Sequence, residues 1–260
     1  MRVALVGTGQ MGTAVEGLAG QRGHTVVSRF NTAHPLTAAA EADTLNGADV
    51  IIDFSLPEVV LPHLERYCSW RIPTVIGTTG WYDHLETVRR RVEAHHAAVF
   101  YAPNFSLGVA LLAESLRHLM PLLEQVPEYD PYLTEAHHLH KADSPSGTAL
   151  LLGHLLIDGL SRKTHLATET QHHRIAPDAL HISATRAGYV VGTHTVGFDG
   201  PYDRLTFTHE AKNRQGFADG ALRAAAWLQG RTGLFTLSDL FADWLSAGPA
   251  PQFADTPLRT

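Results

Sequence analysis

The chain opens Arg2-Val3-Ala4-Leu5-Val6-Gly7-Thr8-Gly9-Gln10-Met11-Gly12, a short run of strand formers followed by glycines at 7, 9 and 12. The helix-permissive stretch Thr13–Leu18 comes next. Strand, glycine turn, helix is the context in which G-x-G-x-x-G binds a dinucleotide. Each glycine has a physical task there. Gly7 permits the tight turn, Gly9 lets the backbone approach a pyrophosphate, and Gly12 lets the helix pack close to the strand. The helix start adds unpaired N–H groups and the positive end of its dipole.

Working outward, His24–Phe30 reads as a second strand. A dinucleotide fold often places Asp or Glu at its end, about 20 residues past the glycines, to hold the ribose hydroxyls. This chain has Asn31, flanked by Arg29 and Thr32. A neutral amide can bond a hydroxyl without repelling a 2′-phosphate, and Arg29 could attract one or be a solvated surface residue. NADH and NADPH both stay open. The pattern repeats in Val50–Phe54, Thr74–Ile76 and Ala98–Tyr101, with helical stretches over Val59–Cys68 and His84–His96. Such alternation implies a parallel sheet covered on both faces. Its ligand belongs at the carboxyl ends of the strands, where Ser55–Glu58, Gly77-Thr78-Thr79-Gly80 and Ala102-Pro103-Asn104-Phe105 form turns.

After Phe105 the character changes. Leu107–Leu123 reads as a long helix, and Pro127–Pro131 breaks it. Strand-like runs follow at Ala179–Thr185, Tyr189–Phe198 and Arg204–His209, joined by short turns, which suggests neighbouring strands in an antiparallel or mixed sheet. An alanine-rich helix from Phe217 to Leu228 is expected to return to the first domain. The expected fold class is α/β: a Rossmann-like parallel-sheet nucleotide domain plus a second α+β domain with a mixed or antiparallel sheet. The expected boundaries are 1–104 with 215–260 for the first domain and 105–214 for the second.

Composition narrows the function. Across 260 residues, 20 Lys+Arg against 26 Asp+Glu leave a net charge of −6, which argues against a general nucleic-acid binder. A hydrophobic fraction of 44% with 18% charged residues suits a globular core. The single cysteine, Cys68, leaves no intrachain disulfide and no cysteine-only metal cluster, and it fits a reducing compartment. No apolar stretch approaches the roughly 18–20 residues that span a bilayer, and no targeting signal is legible, so a cytoplasmic protein without a membrane partner is expected. Histidine is abundant, 17 residues, mostly readable as solvated surface.

The exception is Glu135-Ala136-His137-His138-Leu139-His140-Lys141-Ala142-Asp143-Ser144-Pro145-Ser146-Gly147-Thr148-Ala149. Residues 137–141 concentrate groups that hold or donate protons. Pro145 onward reads as a helix start, whose N–H groups with the Ser146 and Thr148 hydroxyls make a carboxylate cradle. Zinc is the rival for the histidines. If the segment is extended, His137 and His138 point to opposite faces; His138 and His140 could share one, but no matching Cys/His set follows, so no metal is expected.

These motifs together, in order along nearly the whole chain, resemble the 4-hydroxy-tetrahydrodipicolinate (dihydrodipicolinate) reductase family. They are Gly7–Gly12, Asp53-Phe54-Ser55, Gly77–Gly80, Ala102–Ser106, the segment 135–149, Arg186-Ala187-Gly188 with Gly192 and His194, and Phe217–Ala221. The resemblance implies hydride transfer from NADH or NADPH to a small cyclic dicarboxylate with loss of water, in lysine biosynthesis through diaminopimelate. It implies His137 as general acid/base, Lys141 as proton donor, and His138, Ser146, Gly147 and Thr148 as substrate-binding. Nucleotide contacts would fall on Gly7, Thr8, Gly9, Gln10, Met11, Gly12, Arg29, Asn31, Phe54, Gly77, Thr78, Thr79, Ala102, Pro103, Asn104 and Phe105. Arg214 and Phe217 would approach the nicotinamide end. A homotetramer built by the second domain's sheet is also implied. The chain departs from the family at Asn31, where an acid is common, at Leu56, where some members carry arginine, and at Ser144, commonly alanine. The alternatives are a dinucleotide-binding sensor without turnover and a histidine-rich metal hydrolase, against which the nucleotide motifs argue.

Overall fold

The computed structural model describes residues 1–37 and 41–247; of the span 215–260 assigned on sequence to the first domain, residues 248–260 lie outside the described residues. The strands are β1 (Arg2–Val6), β2 (Thr25–Phe30), β3 (Val50–Asp53), β4 (Thr74–Ile76), β5 (Ala98–Tyr101), β6 (Asp130–His137), β7 (His165–Ala167), β8 (Ala179–Arg186), β9 (Thr193–Asp199), β10 (Arg204–Glu210) and β11 (Gly233–Phe235). The helices are α1 (Gln10–Gln21), α2 (Pro57–Trp70), α3 (Leu85–His95), α4 (Leu107–Leu123), α5 (Gly147–Gly159), α6 (Gln215–Trp227) and α7 (Leu237–Ala247). Two compact units divide the chain. One takes Met1–Gly12, Ala19–Pro103 and the described residues from Ala221 on; the other takes Thr13–Leu18 and Asn104–Gly220.

The first unit is built on a six-stranded sheet in the order β11-β5-β4-β3-β1-β2, parallel throughout. Val3–Val6 and Val50–Ile52 are buried, so these strands read as unbroken apolar runs, as strands covered on both faces do. The chain steps from β1 to β2 on one side and returns to β3 on the other. That reversal opens the crevice at the carboxyl ends of β1 and β3 where such sheets bind ligands.

The second unit carries a mixed sheet in the order β10-β9-β6-β8-β7, antiparallel from β10 to β6 and parallel from β6 to β7. The α/β class with a second mixed sheet is as the sequence implied, but two details are corrected. The runs at 179–185 and 189–198 are not neighbours, because β6 lies between β8 and β9; and β9 begins at Thr193, after a turn at Gly188-Tyr189. The sequence hid β6 because two of its inward positions, Glu135 and His137, are polar and break the apolar alternation that marks a strand. On that inward face Leu112, Leu116 and Met120 of α4 and Leu152 and Leu156 of α5 pack on Leu133, Ile182, Val196 and Phe198. Each such side chain contributes about 1.5–3 kcal/mol on burial, which fixes both helices over the sheet. Among the described residues no helix is long and apolar enough to cross a membrane.

Candidate active site

In the first unit the three glycines do three different things. Gly7 has φ +86°, and a Cβ there would stand 2.3 Å from the Phe54 carbonyl oxygen. A Cβ on Gly12 would stand 2.0 Å from the Gly7 carbonyl oxygen, whereas one on Gly9 would meet nothing within 4 Å. Gly7 therefore lets the glycine turn pass close to the turn after β3, Gly12 lets α1 approach the glycine turn, and Gly9 leaves open space at the helix start. A pyrophosphate fits that space and the N–H groups around it.

Phe54 ties the next turns together. A Cβ on Gly77 would fall 2.0 Å from its ring, so the turn after β4 exists in this form only because Gly77 has no side chain. Buried Asp53 shapes the turn itself: its carboxylate accepts from the Ser55 N–H at 2.7 Å and the Tyr67 hydroxyl at 2.8 Å. Thr78 donates its hydroxyl to the Ser55 carbonyl at 3.0 Å, and the Trp81 indole N–H donates to the Thr78 carbonyl at 2.8 Å. Ala102, buried after β5, donates its N–H to Ile76 at 3.2 Å, while Thr79 and Pro103 are exposed. At the end of β2, Asn31 donates its amide to the Thr8 hydroxyl at 3.1 Å and accepts from the N–H groups of Ala33 at 3.0 Å and His34 at 2.9 Å. Its oxygen thus shapes an Asx turn. Arg29 and Gln10 are exposed, Met11 half-buried.

In the second unit the hub is Glu135, whose side chain is fully buried. One carboxylate oxygen accepts from Arg186 Nη2 at 2.8 Å and the Ser146 N–H at 3.0 Å. The other accepts from the Ser146 hydroxyl, with His137 Nδ1 at 3.4 Å and His194 Nε2 at 3.5 Å. Burial alone would raise this carboxyl, but the bonds from His194, Ser146 and Arg186 hold it well below the usual carboxylate range. Burial acts the other way on His137, whose imidazole is pushed down to about 4 against the pull of Glu135, with His194, Lys141 and Arg186 adding to the fall. The ring is neutral at pH 7. A Cβ on Gly192 would stand 2.9 Å from its Nε2.

His138 and Lys141 lie on the turn that leaves β6. The His138 ring is half-buried, 6.3 Å from that of His140. Lys141 Nζ donates to Asp143 at 2.7 Å, and the other Asp143 oxygen accepts from the Gly147 N–H at 3.3 Å. Burial opposes ionisation of Asp143, yet the Lys141 bond and charge hold its carboxyl low. Ser146 caps α5, accepting from the Ala149 N–H at 3.2 Å, and Asn104 donates its amide to the Thr148 hydroxyl at 2.9 Å. The Arg214 carbonyl accepts from the Phe217 N–H at 3.2 Å at the start of α6; Arg214 is exposed, Phe217 half-buried and Phe105 buried.

Sequence reading singled out His137, His138, Lys141, Ser146, Gly147 and Thr148, and the second unit brings these to the end of β6 and the start of α5. It assigned no role to Glu135, Arg186 or His194. The missing signal was strand period: residues 133, 135 and 137 share one face of β6, so a carboxylate sits beside a histidine. Glu135, His137 and His194 also bring ligand-type atoms within 4.8 Å of one another. Arg186 and Ser146 already engage both carboxylate oxygens, so the group reads as a hydrogen-bond hub.

Comparison with known proteins places these features in company. Residues 1–105 match the family model described as dihydrodipicolinate reductase, N-terminus, and residues 108–241 the model described as its C-terminus. The 4-hydroxy-tetrahydrodipicolinate reductase of Christiangramia forsetii is 37% identical over 245 residues, 94% of this chain and 98% of that one. That of Thiobacillus denitrificans is 36% identical over 224 residues, 84% of this chain and 83% of that one. A dipicolinate-bound dihydrodipicolinate reductase from Paenisporosarcina sp. TG-14 shares the fold, with a TM-score of 0.75 at 21% identity, covering 91% of this chain and 97% of that one.

Proposed function

The chain belongs to the dihydrodipicolinate reductase family, and from that premise we infer that it reduces 4-hydroxy-tetrahydrodipicolinate to tetrahydrodipicolinate with NADH or NADPH, releasing water, in lysine biosynthesis through diaminopimelate. One observation carries the chemistry: a carboxylate already sits in the cradle. Asp143 accepts from both the Lys141 ammonium and the Gly147 N–H, the two kinds of donor a substrate carboxylate needs.

The bound dinucleotide supplies the hydride. The glycine turn, with Thr8, Gln10 and Met11, would hold its pyrophosphate, and further dinucleotide contacts are assigned to Phe54, Gly77-Thr78-Thr79, Ala102–Phe105, Arg29, Asn31, Arg214 and Phe217. Gly147, Thr148 and His138 hold the substrate carboxylates, while Ser146, whose N–H and hydroxyl are both given to Glu135, sets the start of α5. Lys141 balances the dicarboxylate charge and gives the proton that must accompany hydride addition. His137, held neutral by burial, takes and returns a proton without standing charged in the empty site. The protein works in the cytoplasm as a homotetramer formed through the outer face of the second sheet. Supporting that surface, Thr134 of β6, Thr195 of β9 and Thr206 and Thr208 of β10 face outward, with the Thr195 and Thr208 hydroxyls 3.0 Å apart.

A coupled assay tests the reaction. The substrate is generated from pyruvate and aspartate semialdehyde by the preceding synthase, and NADH or NADPH consumption is followed in separate cuvettes. Synthase-dependent oxidation is expected. Folded protein that binds dinucleotide and oxidises neither cofactor would overturn the reading.

A further inference from the structure

A polar row crosses three strands of the second sheet. Glu135 on β6 pairs with His194 on β9, which pairs with His209 on β10. One rung away, on the same face, Leu133, Val196 and Phe207 form an apolar row within the core. The face therefore turns from apolar to polar in one step, under the starts of α4 and α5.

Each histidine of the row meets one helix cap. His194 Nε2 lies 3.1 Å from the Ser146 hydroxyl, and His209 Nε2 lies 3.2 Å from the Ser106 hydroxyl. The Ser146 proton goes to Glu135, so His194 must donate from Nε2. Ser106 caps α4 by accepting from the Val109 N–H at 3.4 Å, a longer contact than the one with His209. A Cβ on Gly108 would stand 2.6 Å from the His209 ring, so the ring occupies space that glycine leaves in the first turn of α4. Packing alone would be met by a phenyl ring, as Phe207 meets it one rung away. Just ahead of the cap, Asn104 accepts from the Ser106 N–H at 2.8 Å and donates to the Thr148 hydroxyl at 2.9 Å.

We propose that His209 is a positioning residue for the substrate-carboxylate cradle: through the Ser106 cap it fixes the start of α4, so that the Asn104 amide holds the Thr148 hydroxyl in place. The role rests on the function proposed above for Thr148. Burial, and then the neighbouring His194, lower the His209 imidazole, which keeps it a neutral hydrogen-bonding partner.

A double-mutant cycle on ligand affinity tests this, because coupling between residues that do not touch requires a path joining them. The probe is pyridine-2,6-dicarboxylate, titrated calorimetrically into NADH-saturated protein. His209→Phe keeps the ring and removes the nitrogen; it is expected to weaken dicarboxylate binding about tenfold in the natural background and less than about twofold when Thr148→Val is present. His209→Gln, whose amide can donate to or accept from the Ser106 hydroxyl, is expected to restore most of the affinity. Equal losses in both backgrounds, or unchanged affinity in folded His209→Phe, would overturn the proposal. If His209→Phe does not fold, Ser106→Ala runs the same cycle and the same two outcomes decide. Dicarboxylate binding without turnover strikes the functional reading alone; dicarboxylate binding indifferent to His209 strikes this inference alone.

Discussion

Glu135 and His137 share one face of β6, with a carboxylate oxygen 3.4 Å from the imidazole Nδ1. Proximity to an anion would ordinarily raise a histidine, yet burial wins and the ring is held down to about 4. The unfolded chain binds a proton on this residue near 6.5, so between about pH 4 and 6.5 it holds more protons than the folded state and stability climbs with pH. The difference amounts to on the order of 3 kcal/mol, lost as the pH falls through that window. Urea unfolding from pH 7 to pH 4 is expected to show this slope and to lose most of it in His137→Gln.

The carboxylate titrates with the same sign and lower down. Its folded value is depressed, so its contribution is present above the unfolded carboxyl value of about 4.3 and disappears as the pH falls toward the folded one. At neutral pH, Glu135→Gln leaves Arg186 facing a neutral amide in a buried site. Breaking a buried pair by removing one partner typically costs about 3–5 kcal/mol. Equilibrium unfolding at pH 7 should register a loss near the lower end, because the Arg186 guanidinium keeps its bond to the Asp143 carbonyl at 2.6 Å.

Gly192→Ala tests how much room the imidazole needs. The new methyl would stand 2.9 Å from His137 Nε2, closer than real Cβ contacts come. The ring must turn or the strand shift, and proton exchange at Nε2 suffers either way. Turnover is expected to fall by roughly 10²-fold, the scale of a displaced acid–base group, with the NADH dissociation constant unchanged. Stopped-flow reduction together with fluorescence titration of the cofactor separates the two.

The parts of this arrangement legible in the sequence are those governed by local rules. Gly7, Gly9 and Gly12 were readable because a strand and a helix flank them, and the start of α5 because a serine precedes Gly147. Leu107–Leu123 was readable to its ends because its apolar residues recur at helical spacing between a capping Ser106 and the Pro127 break. What stayed hidden depends on pairing between distant strands. Nothing near Glu135 in the chain announces that His194 and His209 lie opposite it. The insertion of β6 between β8 and β9 is a choice of topology, and polar inward residues masked the strand that made it.

Asn31 offers a test of cofactor choice that the local geometry makes clean. Its oxygen accepts from the Ala33 and His34 N–H groups, so a longer Glu would disturb the turn as well as add charge. Asp keeps the acceptor in place and loses only the amide bond to Thr8. A carboxylate here would repel a 2′-phosphate, and Asn31→Asp is expected to lower the NADPH-to-NADH ratio of kcat/KM about tenfold. A ratio that does not move would take Asn31 away from the ribose.

Lys141→Ala separates binding from chemistry. The ammonium pairs with Asp143 in the second unit, whereas the glycine turn belongs to the first, so dinucleotide affinity should stay within a factor of about two. Turnover should fall by about 10²–10⁴-fold, the usual contribution of a positioned proton donor. Lys141→Arg keeps the charge but holds its proton too tightly to give it up, since a guanidinium stays protonated at any working pH. It should therefore recover the substrate KM and not the kcat. Equal recovery of both would reduce Lys141 to a counter-ion for the substrate carboxylate, and His137 would then have to deliver the proton alone.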